Sequence, residues 1–499
     1  MLTANDGYML NAGGSLAAYG EKGHLKLGGS AEVSGSWAIL WLSAGARFNS
    51  DQVSPYAEAG AYLLANVGFG ASRVPDKGYA PHFFLGIPMT NFSREHPMFF
   101  QPYMRLSWGK SQAREYGIMV KYAFAGGRML GSCPHVYSDG DAGEQLDGDM
   151  LSGAFSREAE TDDWDRLEYL SPKEGAYRVR ITNDRQERDY LNKVALAAVD
   201  HAPDHRVLPS SRGGLVELAG DLPPTRAVDG QGHDELPAIL SEDAKAWIGH
   251  PLSHDPDQET KPEDTLELTF PRPTSPGMPY LVVRLRNTED STEAMYDYLG
   301  RMGPGAARLM RRGSDDKDIR RRIGEEIDRL GLPLAVSIRT DKGYRPVDRL
   351  RPVGPATARS QAVPLPLVHP IKGNAIQVKL TVSPGVWAID RVAIANGTST
   401  LATNVPLRSA TRNNGAAVHA AIAKVDDQRV SLQTGDSVTL SFAAPPVPDG
   451  KTRSLFLHLH GYYEVELGNG YWLNPLAIYR HRMGTDSAPR FFLRSLRGE

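Results

Sequence analysis

The sequence predicts a mainly β protein: a small antiparallel β-barrel followed by β-sandwich or jelly-roll domains that carry one helical insert. Segments of about ten residues with period-two alternation fill residues 8–124, which is the strand signature. Later strand-like segments are short, and 50 glycines and 35 prolines punctuate the chain as turns do between strands. The 499 residues suit roughly three or four domains.

The barrel prediction rests on segments in which one face is apolar and the other carries charge. The clearest segment runs from Arg114 to Phe124. Its apolar face consists of Tyr116, Ile118, Val120, Tyr122 and Phe124, and its other face of Glu115, Gly117, Met119 and Lys121. Seven or eight such segments follow one another in residues 1–126, which is enough to close a small up-and-down barrel.

Two kinds of barrel fit this alternation. In a membrane barrel the apolar face is turned to lipid and the charged face lines the interior, whereas a soluble barrel or open sheet has the faces reversed. The charged face mixes both signs, its other positions are often small, and aromatic residues lie near strand ends, which favours the membrane form. The first 20 residues show no signal peptide, which favours the soluble form, so a membrane barrel requires a native start that this sequence lacks.

The remaining residues divide by composition into three further predicted domains. Residues 127–275 are β-rich, with long loops over residues 203–264, and residues 276–372 hold strands around a helical insert at 290–331. Residues 373–499 are predicted to form a β-sandwich-like C-terminal domain. In the insert, Asp290 and Glu293 form a capping-box pattern, and a stripe at helical spacing follows it. That stripe consists of Ile319, Ile323, Ile327 and Leu330.

Several short motifs between residues 130 and 465 resemble the C-terminal β-sandwich region of large uncharacterised bacterial proteins. They are residues 133–137 (CPHVY), 162–164, 167–170, 177–183, 199–201 (VDH), 281–288, 387–392 and 461–463 (GYY). The resemblance implies a domain arrangement and no activity. The N-terminal part resembles a small outer-membrane-type β-barrel.

Two groups of residues are candidate metal ligands. The acidic stretch with Asp139, Asp141, Asp147 and Asp149 offers the hard oxygens that calcium prefers, although its spacing is not that of an EF-hand and a solvated turn is the alternative. His250, His254 and Asp255 offer imidazole and carboxylate ligands for a transition metal, in a Pro-rich loop. No cofactor is predicted, and calcium is the alternative.

Aromatic residues near the C-terminus are candidate ligand-binding residues. Sandwich domains bind sugars through exposed aromatic side chains, and the candidates are Tyr462, Tyr463, Tyr471 and Trp472. Packing in the core is the alternative for these positions. Nearby, His458 and His460 share one face of a probable strand, and the alternative to a functional pair is a half-buried structural one.

The sequence contains no signature of a catalytic centre. It lacks the G-x-S-x-G, G-x-x-x-x-G-K-[ST] and H-E-x-x-H motifs, and its single cysteine, Cys133, has no cysteine partner for zinc. The 56 Lys and Arg against 59 Asp and Glu lack the basic surplus typical of nucleic-acid binding, so no nucleic-acid partner is predicted.

These observations predict a non-enzymatic bacterial cell-envelope protein in the outer membrane. Its barrel is an anchor, and its sandwich domains bind a cell-surface glycan or a protein partner or act as a scaffold. Two alternatives remain open: a soluble cytoplasmic structural or assembly protein, and an envelope glycan or peptide hydrolase with two facing carboxylates.

Overall fold

The computed structural model describes residues 8–465 with internal gaps. The gaps are residues 22–23, 38–39, 50–52, 63–64, 75–77, 88, 91–97, 110–112, 126–132, 186, 244, 251–262, 274–276, 293, 296–317, 319–320, 322–324, 326–331 and 367–374. The described chain is almost all β, and it begins with a closed eight-stranded antiparallel barrel, as the sequence predicts. No helix in these described ranges is long and apolar enough to cross a bilayer.

The barrel is an up-and-down meander. Its strands are β1 (Tyr8–Glu21), β2 (His24–Trp37), β3 (Leu40–Asn49), β4 (Val53–Tyr62), β5 (Asn66–Val74), β6 (Gly78–Gly86), the two-residue β7 (Met89–Thr90), β8 (Met98–Ser107) and β9 (Arg114–Ala125). Strands β1 to β6 pair in order, β9 returns to pair with β1, and β8 pairs with both β9 and β6. The pairing of β6 with β8 closes the ring, and β7 only extends one end of β8.

The described residues between 133 and 465 form 21 further strands. They are β10 (His135–Gly140), β11 (Gly143–Asp149), β12 (Thr161–Leu167), β13 (Ala176–Thr182), β14 (Glu187–His201), β15 (His205–Pro209), β16 (Leu215–Leu222), β17 (Arg226–Asp229), β18 (Trp247–Ile248), β19 (Asp264–Pro271), β20 (Met278–Asn287), β21 (Leu334–Thr340), β22 (Gly343–Leu350), β23 (Arg359–Pro364), β24 (Ala375–Val382), β25 (Trp387–Thr400), β26 (Thr403–Val405), β27 (Leu407–Arg412), β28 (Val430–Leu432), β29 (Ser437–Ala443) and β30 (Thr452–Val465). Short 3₁₀ helices lie at Arg157–Ala159, Leu236–Ala238 and His419–Ile422.

These strands form four sheets that pack as two sandwiches. The first sandwich consists of the sheet β11-β10-β13-β29-β27 and the sheet β12-β30-β14-β26, with β28 beside β14. The second consists of β22-β21-β24-β19-β17 and β23-β20-β25-β16-β15, with β18 beside β25. Each sandwich encloses its own buried apolar core, one around Ile181 and Leu457 and the other around Leu268 and Ile389.

The two sandwiches are built from an internal duplication. Strands β10–β14 with β17–β20 have the same sheet positions as β21–β25 with β27–β30, so residues 133–287 and 332–465 are two repeats. Residues 176–182 (AYRVRIT) and 375–381 (AIQVKLT) are equivalent strands of similar sequence. The first hairpin of each repeat turns on a glycine with positive φ, Gly143 in one and Gly343 in the other, a conformation that favours glycine.

The repeats exchange halves. Strand β13 of the first repeat pairs with β29 of the second, and β24 of the second pairs with β19 of the first. The registers match, because Ala176 lies opposite Ala443 and Ala375 lies opposite Pro271. The sheets therefore cross the predicted boundaries at 275/276 and 372/373, since a contiguous segment of the chain cannot supply both halves of one sandwich.

The predicted helical insert lies mostly outside the described residues, including Glu293 and the stripe Ile319, Ile323, Ile327 and Leu330. Residues 289–292, 294–295, 318, 321 and 325 are helical. The first helix is capped by Thr288 rather than by Asp290, because the Ser291 backbone N–H donates to Thr288 Oγ1 at 3.1 Å. A threonine at this position satisfies an N–H group that the helix itself leaves unpaired.

Candidate functional site: an apolar barrel wall around a charged interior

The outer wall of the barrel is apolar. On β9 the exposed fractions are 52% for Tyr116, 46% for Ile118 and 38% for Val120, while Tyr122 and Phe124 are strand residues whose side chains lie outside the described set. The wall continues around the other strands. Its further exposed side chains are Leu16, Leu25, Leu27, Val33, Leu40, Leu42, Phe48, Val53, Phe69 and Tyr79. The apolar face of the alternation therefore points away from the barrel axis.

The interior of the barrel is polar. Its buried polar side chains are Ser15, Ser30, Glu32, Ser34, Ser43, Arg47, Ser54, Glu58, Asn66, Ser72, His82, Gln101, Arg105, Glu115 and Lys121. Among these described residues, three carboxylates face three permanent cations, so the interior carries no net charge before His82 is counted. This distribution is the reverse of that in a water-soluble barrel, where apolar side chains fill the interior.

Arg105 is the centre of the interior network and is fully buried. Its Nε lies 2.5 Å from Glu58 Oε1 and its Nη2 lies 3.1 Å from Glu58 Oε2. Its Nη1 donates to Glu115 Oε1 at 2.8 Å. One guanidinium therefore joins carboxylates from β4 and β9, which is the bidentate geometry that makes such pairs strong.

The other two interior cations complete the network. Arg47 Nη1 lies 3.4 Å from Glu115 Oε2, and Lys121 pairs with Glu32. His82 Nε2 lies 2.7 Å from Glu58 Oε1. Because every buried charge has a partner of opposite sign, the interior avoids the large cost of an isolated buried charge.

Aromatic rings and small residues fill the remaining space. Tyr56 donates to Glu32 at 2.6 Å and Tyr103 to Glu115 at 2.5 Å, and the Arg105 guanidinium lies 4.6 and 4.9 Å from the centres of those two rings. A Cβ atom at Gly70 would lie 2.6 Å from Glu58 Cγ. The small residues of the alternation therefore make room for the charged network.

The wall has the dimensions of a bilayer-spanning sheet. Its eight long strands contain 9 to 14 residues, whereas about 9–11 tilted residues cross the hydrocarbon core. At one rim the exposed Tyr79 pairs with Arg73 across β5 and β6, and the half-exposed Trp108 donates its backbone N–H to Pro81. Aromatic and basic residues are typical of the membrane–water interface.

The four candidate calcium ligands do not converge on one point. Asp139 pairs with Lys173 Nζ at 2.6 Å, and Asp141 accepts a hydrogen bond from Ser171. Asp147 accepts the backbone N–H groups of residues 168 and 169, while Asp149 is fully buried and accepts the N–H of Ala356. In the described ranges these four carboxylates do not form a metal-ligand group, and each has protein partners of its own, so calcium binding here stays a prediction.

The other candidate ligands are likewise not assembled. His250 contributes its backbone N–H to Asp264 at 2.8 Å, whereas His254 and Asp255 lie outside the described residues. Tyr462 stacks on Tyr190 with ring centres 4.5 Å apart, and Tyr463 packs edge-on against Phe155. Both tyrosines are buried in the first sandwich core, so they do not form an exposed platform. Tyr471 and Trp472 lie outside the described residues.

A cleft of about 870 Å³ lies beside β12 and is lined by Asp162, Asp163, Trp164 and Arg359 among others. Its carboxylates are already paired. Asp163 Oδ1 accepts from Arg359 at 2.9 Å, and Asp162 Oδ1 lies 2.6 Å from His458 Nε2. The arrangement does not present two free, facing carboxylates.

Sequence reasoning missed a group of buried acids in the first sandwich. Glu187 and Asp189 are fully buried on one face of β14. Burial raises the pKa of Glu187 to about 8, and burial together with the neighbouring Glu187 raises the pKa of Asp189 well above its usual range. Their i, i+2 spacing, which places both acids on one face of the strand, was the available signal.

No protein-family model matches this chain, and no curated protein matches it. The resemblance of residues 130–465 to bacterial sandwich regions stays a prediction.

Proposed function

We propose that this protein is an integral membrane protein of the outer-membrane type. Its barrel anchors the two sandwiches to a bacterial cell envelope. The observation that carries the proposal is the inverted barrel, with apolar side chains outside and a charge-balanced network inside. In water this arrangement would expose a continuous apolar band. In a bilayer the same band is solvated by lipid, and the closed sheet satisfies every strand hydrogen bond.

The filled interior supports an anchor rather than a pore. Arg105 and its partners occupy the middle of the barrel, and the rings of Tyr56, Phe84 and Tyr103 lie against its guanidinium. Barrels of eight strands have interiors that side chains fill, whereas aqueous channels need more strands. The barrel then serves to hold the rest of the chain at the membrane.

The chain path supports a one-sided attachment. Leu10 of β1 lies opposite Ala125 of β9, so the barrel begins and ends at the same rim. The described part of residues 133–465 follows that rim in the chain, and in this proposal it lies on one side of the bilayer. The sandwiches are then a binding or scaffolding module presented to a single compartment.

Flotation of the full-length chain with liposomes tests the proposal. The wild-type protein, refolded from detergent, is expected to float with the lipid and to resist extraction at high pH. Ile118→Arg places a charge in the middle of the wall, where it costs about 2–4 kcal/mol, and is expected to reduce insertion. The matched control is Leu401→Arg, because Leu401 is 93% exposed outside the barrel.

Two results would contradict the proposal. If the wild-type chain is a folded monomer in detergent-free buffer and stays at the bottom of the gradient, the membrane proposal is wrong. If Ile118→Arg and Leu401→Arg insert equally well, the wall does not face lipid.

A further inference from the structure

The turn that follows β17 gathers three side chains that can bind a metal ion. Ligand atoms of Asp229, His233 and Glu235 all lie within 4.8 Å of one another. Asp229 Oδ2 lies 2.9 Å from His233 Nδ1. The Asp229 side chain is fully buried, whereas that of His233 is 63% exposed, so the group opens to solvent on one side.

The second repeat contains the same turn without these side chains. In the first repeat, Asp229 N–H donates to the His233 carbonyl at 3.1 Å, and Gly232 N–H donates to the Asp229 carbonyl at 3.2 Å. The equivalent bonds join Arg412 with Ala416 and Gly415 with Arg412, both at 2.9 Å. Because the backbone turn forms with Arg412, Ala416 and Val418 at these three positions, folding of the turn does not require the Asp-His-Glu group.

The two turns differ in charge. In the second repeat, Arg412 Nη2 donates to Asp436 Oδ2 at 2.8 Å. The residues equivalent to Arg412 and Asp436 in the first repeat are Asp229 and Asp264. Both are buried, and both lie at the same loop, since the Gly230 N–H donates to Asp264 Oδ1 at 3.2 Å.

The first repeat therefore places two buried carboxylates where the second has a cation and a carboxylate. Burial of like charges is costly unless a cation compensates them. Asp229 Oδ1 already accepts the backbone N–H groups of Gln231 and His233, and a bound metal ion would add positive charge on the side of Oδ2, which lies beside His233 Nδ1. The Asp264 carboxylate also accepts the His250 backbone N–H at 2.8 Å, so it holds the neighbouring loop and lies behind the metal-ligating group.

We infer that Asp229, His233 and Glu235 bind a divalent transition-metal ion of the zinc class. One imidazole nitrogen and two carboxylate oxygens are the donor types that such ions accept. Three protein ligands leave a further position for water. The site is independent of the barrel and of the membrane proposal.

Zinc binding to the full-length chain tests the inference. The chain is stripped with a chelator, and Zn²⁺ binding is then followed by calorimetry and elemental analysis. His233→Ala is expected to lose one Zn²⁺ per chain relative to the wild type. The matched control is His205→Ala, because His205 pairs with Glu217 at 2.6 Å in a histidine–carboxylate pair of the other sheet.

A second variant separates loss of the site from loss of the fold. Asp229→Arg recreates the arrangement of the second repeat, so it is expected to keep its circular dichroism spectrum and to lose the same single Zn²⁺. Zinc is also expected to raise the Tm of the wild type, by mass action on the folded state, and to leave that of both variants unchanged. Equal zinc stoichiometry and affinity in the wild type, His233→Ala and Asp229→Arg would overturn the inference.

Discussion

Arg105 and Glu58 form a two-contact ion pair in the middle of the barrel, with the guanidinium completely buried and the carboxylate nearly so. Arg105 also reaches Glu115 and lies 3.6 Å from Glu32, so one side chain faces three buried negative charges. The pair holds β4, β8 and β9 together across the barrel interior, and the stability of the barrel should depend on it.

Replacing Arg105 with methionine is expected to destabilise the barrel by about 3–5 kcal/mol, because Glu58 and Glu115 lose their shared buried cation and keep only His82 and Arg47 as partners. The measurement is urea-induced unfolding in detergent, followed by intrinsic tryptophan fluorescence. Arg73→Met is the matched control, since Arg73 is exposed on β5, and a change within about 0.5 kcal/mol is expected there. Equal destabilisation by both variants would show that the interior network contributes nothing specific.

We expect the stability of the first sandwich to fall as the pH rises, because Glu187 and Asp189 are buried in it. Glu187 has an ordinary pKa of 4.5 and a folded-state pKa of about 8, so the folded state binds more protons than the unfolded state between these values. Stability then decreases with pH across this window. Groups with other shifts also titrate, so the measured quantity is the difference in Tm between the wild type and Glu187→Gln.

That difference is expected to favour the variant increasingly from about pH 5 to about pH 8, because glutamine carries no proton to lose. Glu174→Gln is the control, since the Glu174 side chain is 86% exposed. Parallel Tm curves for the wild type and Glu187→Gln would contradict the assigned role of burial.

Arg359 links the two repeats, so we expect its replacement to lower the free energy of unfolding of the sandwiches. It lies on β23 of the second repeat, its Nη1 donates to Asp163 at 2.9 Å, and it also donates to the Asp149 carbonyl. Burial raises the pKa of the adjacent Asp165 to about 7 despite this arginine. Arg359→Met is expected to cost about 3–5 kcal/mol in chemical unfolding.

The comparison for Arg359 is Arg408→Met, because Arg408 is exposed on β27. Its unfolding midpoint is expected to stay close to that of the wild type. A wild-type midpoint in Arg359→Met would mean that Asp163 and Asp165 are not compensated through this guanidinium.

The exchange of halves predicts that neither repeat folds alone. Separate chains of residues 133–331 and 332–465 each lack the partners of their own central strands, since β13 needs β29 and β24 needs β19. Co-expression is expected to give a 1:1 complex on size-exclusion chromatography with light scattering. A cooperative, monomeric fold in either fragment alone would contradict the exchange.

The barrel could be predicted from sequence because period-two alternation follows directly from strand geometry. The direction of the apolar face could not, since alternation is identical in both barrel types, and only the closed pairing places Ile118 outside and Arg105 inside. The loops predicted for residues 203–264 instead contain β15 to β18. These strands are short and interrupted by Pro and Gly, which hides their pattern.

The candidate sites were less predictable because they depend on contacts between distant segments. Asp229, His233 and Glu235 are close in sequence, yet their significance appears only beside Arg412 and Asp436 of the other repeat. Tyr462 was expected as a ligand-binding residue, but its partner Tyr190 is 272 positions away and pairs with it across β14 and β30. The repeat leaves a trace in the sequence, since residues 176–182 and 375–381 are similar.

The pairing of Leu10 with Ala125 places the end of the barrel at one rim, and this limits the distance between that rim and the sandwiches. Eight peptide units separate Ala125 from Cys133, where the described sandwich region begins, and a fully extended chain spans at most about 3.6 Å per residue. Cys133 therefore stays within about 30 Å of the barrel rim. With the barrel inserted in a bilayer, as proposed, a ligand of the sandwiches would be bound close to the membrane surface, and this short connection would favour targets confined to the envelope over those that diffuse freely.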